Sequence, residues 1–317
     1  MLPDIIRTWL LDSSDPYLRY RTSTELLGLS PNDPELLECK RSIPLSETVQ
    51  YILSRMHPNG YWLQQNPSSK KVIGEGVEYG SFATTHFCLA YLAELGLDRS
   101  EEMVDKAANR YLDLQQPDGD WYGHFSCLYS YNIVTFVKLG YVGDPRLERV
   151  VNLMLNSIRQ DNGYLCDFHE PHPGRRTVKS CIRGSTKALE AFAALGNRYW
   201  NHESCVRLVN YFLNRDGIYK TNSPNEIVNK DVQTMIFPFH WRAGLVQILF
   251  SLSKLGYGKD PRLARAWELL ESKADPQGRY PLEWTPSQSA WKVGLRGSPN
   301  QWLTFYSYLA MKYRDAS

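Results

Sequence analysis

Apolar and polar positions along the chain follow two helical patterns that alternate. One is an amphipathic helix followed by a turn that joins glycine to an aromatic residue, as in ETVQYILSRMHPNGYWLQ and DKAANRYLDLQQPDGDWYG. The other is apolar on more than one face and ends in Leu-Gly, as in ATTHFCLAYLAELGL and LVQILFSLSKLGY. Because a helix that is apolar on several faces must be buried on several sides, the second pattern predicts inner helices and the first predicts outer helices.

The ends of these helices carry regular signals. Each Leu-Gly places glycine where a residue in the left-handed conformation ends a helix. Asp144-Pro145 and Asp260-Pro261 are then expected to start the next helix, with proline in its first turn. Helix pairs joined by such short loops cannot bury their own faces, so they must stack on their neighbours. We therefore predict an all-α fold, an α/α toroid in which about six inner helices are surrounded by about six outer helices.

The repeats predict one structural domain with two parts. Residues 48–317 form the toroid. Residues 1–47 depart from the repeat pattern, since they contain two short helical segments interrupted by Ser-Pro and Asp-Pro. Such interruptions predict either a helical cap or a degenerate first repeat.

Composition narrows the partners and the location. The 317 residues carry a net charge of +2 and no apolar run of about 18 residues. We therefore expect no nucleic-acid partner and at most peripheral contact with a membrane. The first residues lack the cationic and apolar segments of a secretory signal, so a cytoplasmic location is expected. Six cysteines in a chain of this length are expected to be thiols rather than a disulfide framework.

The glycine-aromatic turns carry a resemblance to a known superfamily. QQPDGDWYG is similar to the Gln-Trp repeats of squalene and other class II terpene cyclases, and the alternating helices resemble the α/α toroid that those enzymes share with protein prenyltransferase β-subunits. The resemblance extends from about Ser46 to Tyr313. More narrowly, MIFPFHWRAGLVQILFSLSKLG, DPQGRYPLEW and GSPNQWLTFYSYLA resemble single-domain prenyltransferase or squalene-oxidase repeat proteins, whose activities are mostly unassigned.

The sequence departs from the cyclases at their catalytic acid. Those enzymes use an Asp-x-Asp-Asp run, which is absent here. Asp118 and Asp120 come closest, but they lie in a glycine turn, where we expect Asp118 to cap backbone amides. By analogy with Gln-Trp repeats, we expect Trp121 to stack between neighbouring outer helices.

The inner helices are expected to start at one rim of the ring, here called the mouth. Helix N-termini favour anions or a reacting centre, so the residues there are the candidates for chemistry. The predicted catalytic residues are His86, Cys127, Asp167 and Cys181. The alternative for His86 is a satisfied histidine among helix ends. The predicted substrate-binding residues are Tyr129, Arg183, His240, Trp241, Arg242, Trp291, Arg296 and Trp302, the arginines for an anion such as diphosphate; solvated rim charges are the alternative.

Thiols and imidazoles near the mouth raise the question of a metal. Cys127, Cys166, His169 and Cys181 form a soft ligand set that suits zinc, with Asp167 and His172 beside them. The resemblance supports this prediction, because protein prenyltransferases use a Cys/Asp/His zinc site at the same place to activate a thiol. The alternative is that these cysteines are small buried apolar residues.

Three functions follow from this sequence. The first is a terpenoid cyclase-like or prenyltransferase-like enzyme that acts on an isoprenoid or lipid in an aromatic-lined cavity, by cyclisation, hydration or dehydration, or prenyl transfer. The second is a toroid that binds a lipid or protein without catalysis. The third is a polysaccharide lyase or glycosidase on the same ring, which would need paired carboxylates. The candidates for those carboxylates are Glu75, Glu78, Asp231 and Glu283.

Overall fold

The computed structural model of the chain describes residues 2–66, 69–78, 82–169, 179–239 and 242–316. Its α-helices are α1 (Asp4–Leu11), α2 (Pro16–Arg21), α3 (Pro34–Ser42), α4 (Glu47–Ser54), α5 (Thr85–Glu94), α6 (Glu102–Leu112), α7 (Ser126–Lys138), α8 (Pro145–Asn156), α9 (Ile182–Leu195), α10 (Glu203–Leu213), α11 (Leu245–Lys254), α12 (Ala264–Glu271) and α13 (Gln301–Ala316). A π-helical turn, Thr22–Leu26, continues α2.

The remaining regular structure is short and lies in the connections. Within the described ranges, three two-stranded antiparallel sheets are formed by β1 (Met56–His57) with β2 (Tyr61–Trp62), β3 (Gln64–Gln65) with β4 (Val72–Ile73), and β5 (Tyr219–Lys220) with β6 (Ser223–Ile227). Single 3₁₀ turns occupy Asp167–His169, Asn197–Tyr199, Lys230–Gln233 and Pro261–Leu263. None of the helices in the described ranges is long and apolar enough to cross a bilayer.

The inner helices form a ring in chain order. α5 packs on α7, α7 on α9, α9 on α11, and α11 on α13, while α13 also contacts the π-helical turn. The outer helices α6, α8, α10 and α12 pack on α5, α7, α9 and α11, and α1 and α4 pack on α13 and α5. The segment before residue 48 therefore supplies contacts in both layers of the ring.

The predicted helix signals are confirmed. Asp144 accepts a hydrogen bond from the amide of Arg146 at the start of α8, and Pro145 is the first helical residue. Asp260 caps the 3₁₀ turn that leads into α12 in the same way. The glycine after each of α5, α7, α9 and α11 has a positive φ of 78° to 90°, as predicted for Gly96, Gly140, Gly196 and Gly256.

Aromatic side chains of the turns fasten each turn to its outer helix. Trp62 and Trp121 each donate their indole N–H to a main-chain oxygen ten residues earlier, on Ile52 and Tyr111. The hydroxyl of Tyr164 donates to the oxygen of Met154 across the same interval. A buried indole N–H or phenol hydroxyl needs a hydrogen-bond acceptor, and the outer helix supplies one at the same interval in each of these three turns. This shared hydrogen bond explains why an aromatic residue recurs at this place in the turns.

The turn from Asp118 to Trp121 contacts both the outer and the inner layer of helices. Trp121 stacks on Tyr111 of α6 and on Phe136 of α7, with ring centroids 5.6 and 6.0 Å apart. We expected Trp121 to stack between neighbouring outer helices; its indole also reaches inward to α7, which that expectation did not include. Asp118 caps the amide of Asp120 at 3.0 Å, as expected.

Replacing Gly119 by alanine is expected to destabilise this turn. Gly119 has φ +97°, and a Cβ there would lie 2.8 Å from the amide nitrogen of Val150 on α8, where backbone cannot yield. Strain of this kind costs about 2 kcal/mol, which denaturant unfolding would measure. Gly123 is the matched control, because it also has a positive φ but no atom lies within 4 Å of its Cβ position. Equal losses at the two positions would refute the contact with α8.

Candidate functional site

The starts of the inner helices meet as predicted around α7 and α9. Cys127 is the second residue of α7, and Cys181 is the N-cap of α9. Cys166 comes from the loop between α8 and α9, and its sulfur lies 3.8 Å from the sulfur of Cys127. We call Cys127, Cys166 and Cys181 the thiol group. The fold therefore brings together three cysteines that are far apart in sequence.

Hydrogen bonds among the three sulfurs set the pKa values of the cysteines in the thiol group. The hydrogen bond with Cys127 lowers the pKa of Cys181 to about 5, assisted by the amides of Gly184 and Arg183 at the start of α9. The same kind of bond with Cys127 lowers the pKa of Cys166. The pKa of Cys127 is raised, chiefly because its proton is shared with the other two sulfurs. Cys181 is thus a thiolate at neutral pH, the form that reacts and binds metals.

Asp167 and His169 lie beside the thiol group but point outward. Both belong to the 3₁₀ turn after Cys166, and both side chains are exposed. His169 still acts on the charge of Cys181 from this position. Within the described ranges, no group of three or more His, Cys, Asp and Glu side chains is arranged to hold a metal ion. His172 lies outside those ranges, and the zinc site remains a prediction.

Two arginines predicted to bind an anion converge on one carboxylate. Arg183, in the first turn of α9, approaches Asp231 at 2.5 Å, and Arg242, just before α11, approaches it at 3.6 Å. The guanidinium of Arg242 also lies 4.4 Å from the ring centre of Trp284. Two guanidinium groups at helix starts therefore lie beside the carboxylate of Asp231 at the mouth.

The third predicted arginine approaches the same tryptophan. The guanidinium of Arg296 lies 5.6 Å from the ring centre of Trp284 and donates to the main-chain oxygen of Thr285 at 2.6 Å. Arg242 and Arg296 therefore share the Trp284 ring. The three arginines predicted to bind an anion are thus grouped around the carboxylate of Asp231 and the indole of Trp284.

His86 is buried without a hydrogen-bond partner for either ring nitrogen among the described residues. Its ring is enclosed by Phe87, Tyr111 and Tyr131, with the Phe87 ring centre 4.1 Å away. Burial lowers the pKa of His86 to about 3, so the imidazole is neutral at physiological pH. An imidazole with so low a pKa neither releases nor takes up a proton readily near neutral pH.

The predicted aromatic binding residues pack mainly against one another. Trp291 and Trp302 are 3% and 4% exposed, and both rings contact Phe237. Their remaining edges line a surface groove of about 390 Å³. Tyr129 is 1% exposed, and its hydroxyl bonds to Ser157 at the end of α8. His240 and Trp241 lie outside the described residues.

A small charged cavity on the ring axis was missed by the sequence analysis. We call it the axial cavity; it is lined by Ala90, Tyr91, Glu94, Tyr131, Val134, Thr135, Lys138, Glu190, Pro238 and Phe239. Its volume is about 20 Å³, which holds about one water molecule. The signal that could have found it is a charged residue in an otherwise apolar inner helix, as in LAYLAELG and VTFVKLG.

The carboxylates at this cavity differ in their surroundings. Glu94 accepts hydrogen bonds from Lys138 and Tyr306 and pairs with Arg21 at 3.1 Å, and these cations lower its pKa despite burial. Glu190 accepts a hydrogen bond from Gln247, and the amine of Lys187 lies 4.0 Å from it. Glu94 is thus held ionised within a closed network.

Lys187 is the least conventional group inside the ring. Its side chain is fully buried, its amine has no hydrogen-bond partner among the described residues, and it lies 6.0 Å from the ring centre of Tyr131. Burial lowers the pKa of Lys187 to about 8. An amine with this pKa can accept a proton near neutral pH.

Comparisons with known proteins identify the architecture. No protein-family model matches the sequence, and no curated protein matches it either. Among solved structures, a glycosyl hydrolase of family 88 from Bacteroides vulgatus is similar with a TM-score of 0.54 and 15% identity, over 95% of this chain and 90% of its own. A polysaccharide lyase is similar with a TM-score of 0.52 and 14% identity, over 98% and 95%. The chain is an α/α toroid.

The type II terpene cyclase MstE from Scytonema also matches, with a TM-score of 0.31 and 13% identity, over 87% of this chain and 97% of its own. The toroid predicted from the helical patterns is confirmed by the glycosyl hydrolase and the polysaccharide lyase, whose TM-scores exceed 0.5. Since the same ring hosts unrelated reactions, the activity must be argued from the site.

Proposed function

We propose that the protein is an enzyme that binds an anionic substrate at the mouth of the toroid. In this proposal Arg183 and Arg242 hold the anion, and the thiol group supplies the reactive side chain. The observation that carries it is the convergence of both arginines on one place at the mouth, beside the carboxylate of Asp231. Each guanidinium group carries several N–H donors in the fork geometry that binds phosphate and carboxylate oxygens.

The reactive group in this proposal is Cys181. Arg183 and Cys181 belong to the same helix start, so an anion held by that arginine would lie at the same rim of the ring as the sulfur. Cys181 is the least buried member of the thiol group, which leaves its thiolate open to a substrate. Lys187 lies deeper along α9, where burial lowers the pKa of its amine to about 8, so that the amine would exchange a proton near neutral pH.

A prenyl diphosphate is the first candidate substrate. Its diphosphate matches the arginines, and the resemblance to terpene cyclases and prenyltransferases suggests the isoprenoid chain. Because the axial cavity holds about one water, the chain would bind outside the ring axis. This placement differs from an aromatic-lined central cavity and argues against polycyclisation inside the ring.

A sugar acid is the second candidate, because its carboxylate would bind the same two arginines. Such a substrate would also bind outside the ring axis, since the axial cavity holds about one water. Asp231, one of the candidate carboxylates for a lyase or glycosidase, lies at this place.

Titration calorimetry with a set of anions tests the proposal. We expect farnesyl diphosphate or a glucuronate-containing disaccharide to bind the wild type, and we expect Arg183→Gln and Arg242→Gln each to weaken binding about tenfold. Binding of farnesyl diphosphate much tighter than inorganic pyrophosphate would assign a prenyl substrate. Tighter binding of the disaccharide would assign the sugar acid.

Arg198→Gln is the matched control, since Arg198 is a surface arginine paired with Glu148 at 3.0 Å. An equal loss in this variant, or no binding of any anion by the wild type, would refute the anion site. Product analysis by mass spectrometry of the bound ligand after incubation then separates an enzyme from a binding protein. Turnover that survives Cys181→Ser would remove the thiol from the mechanism.

A further inference from the structure

We propose that the thiol group is a site of oxidation by hydroperoxides, in which Cys181 and Cys127 form a disulfide. This inference is independent of the substrate, because it follows from the placement of three sulfurs. The sulfur of Cys127 lies 3.8 Å from that of Cys166 and is hydrogen-bonded with that of Cys181. Cys127 is therefore the shared neighbour of the other two thiols.

Exposure distinguishes the residue that meets the oxidant. Cys127 and Cys166 are 6% and 1% exposed, whereas Cys181 is only partly buried. A hydroperoxide in solvent would therefore meet the sulfur of Cys181 first. The other three cysteines, Cys39, Cys88 and Cys205, lie on other helices; Cys88 and Cys205 are buried, and burial raises their pKa.

The reaction proceeds in two balanced steps. The sulfur of Cys181 attacks the peroxide, so that an S–O bond forms while the O–O bond breaks. Cys181 becomes a sulfenic acid, and the hydroperoxide is reduced to an alcohol, or to water when the oxidant is hydrogen peroxide. The sulfur of Cys127 then attacks that of Cys181, which forms the S–S bond, breaks the S–O bond and releases water with the proton of Cys127.

Cys127 is suited to this second step by its contacts. It begins α7 while Cys181 begins α9, and these helices pack directly against each other. The two sulfurs are within hydrogen-bonding reach of each other, and formation of the disulfide shortens their separation to about 2.0 Å. Formation of the bond would fix α7 to α9 at the mouth, next to Arg183.

Non-reducing tryptic mapping of the full chain tests this proposal directly. The three thiols fall in separate tryptic peptides: Cys127 in 111–138, Cys166 in 160–175 and Cys181 in 180–183. After treatment with hydrogen peroxide, we expect the intact protein to lose the mass of two hydrogens. We expect peptide 180–183 to be linked to peptide 111–138 and to be released by a thiol reductant.

Variants distinguish the two steps. In Cys127→Ser, Cys181 should stop at the sulfenic acid and react with dimedone, whereas Cys205→Ser should behave as the wild type. Linkage of any other pair of peptides, dimedone labelling without a disulfide in the wild type, or no reaction would overturn the proposal. Stoichiometric zinc in protein purified without chelator, with thiols that resist peroxide until the metal is removed, would overturn it in favour of the zinc site. These mass measurements do not depend on catalysis, so failed anion binding and failed disulfide formation are separate results.

Discussion

Replacing Arg21 by methionine is expected to lower the free energy of unfolding by about 3 kcal/mol, because it removes one of the two cations that pair with the buried carboxylate of Glu94, and also the partner of Glu25. The Arg21 guanidinium pairs with Glu94 at 3.1 Å and with Glu25 at 2.5 Å, and it donates to the hydroxyl of Tyr306 at 2.7 Å. Glu94 belongs to α5 and Tyr306 to α13. Arg21 ends α2, which with the π-helical turn forms the first inner segment of the ring. Its side chain thus joins this segment to both of its neighbours, α5 and α13.

Denaturant unfolding of this variant would measure the loss. Arg41→Met is the matched control, since Arg41 pairs with Glu38 on the surface, where the two side chains are 70% and 72% exposed. Exposed pairs contribute about 0–1 kcal/mol. A loss in Arg21→Met no greater than in the control would show that Arg21 is not needed to close the ring.

The second large effect is a dependence of stability on pH that comes from His86. Its pKa is about 3 in the folded protein, whereas an unfolded histidine titrates near the ordinary value of about 6.5. The unfolded chain therefore takes up a proton as the pH falls below about 6.5, while the folded chain does not. Stability that is present above pH 6.5 is lost as the pH falls, by about 2.5 kcal/mol at pH 4.5.

His86→Leu isolates this effect. Both imidazole nitrogens lack a hydrogen-bond partner among the described residues, so at pH 7 an apolar side chain of similar size should leave stability unchanged or raise it. The difference in unfolding free energy between variant and wild type should then grow in favour of the variant as the pH falls from 6.5 to 4.5. His57→Leu, at a partly exposed position, is the control. A difference for His86→Leu that stays constant with pH would contradict the buried neutral imidazole.

The ring could be predicted from the sequence because the same helix signals repeat along the chain. The helical period, the Leu-Gly ends and the Asp-Pro starts depend on local chemistry, and each recurs in register along the chain. The inward direction of Trp121 could not be predicted, since it depends on the hydrogen bond from its indole to Tyr111 and on contact with Phe136. Local patterns do not show which layer a turn residue enters.

The location of some candidate site residues could be predicted from the repeating helix starts. The position of Cys127 and Cys181 at helix starts identified both as mouth residues, and Arg183 and Arg242 followed from the same rule. Lys187, Glu190 and Glu94 were missed, because a charged residue within an apolar helix is normally expected at its polar edge. Their common orientation toward the axis is a property of the closed ring, which no single helix reveals.

The contact between Arg21 and Tyr306 also bears on how the chain is made. These residues are 285 positions apart, so the first inner segment leaves the ribosome long before α13 exists. An open solenoid can add each repeat to the last as it emerges, whereas a ring has no complete neighbour for its first helix until the final one is synthesised. The Arg21 side chain therefore stays solvated until α13 has been synthesised. Ring closure is then a late folding step that joins distant parts of the polypeptide.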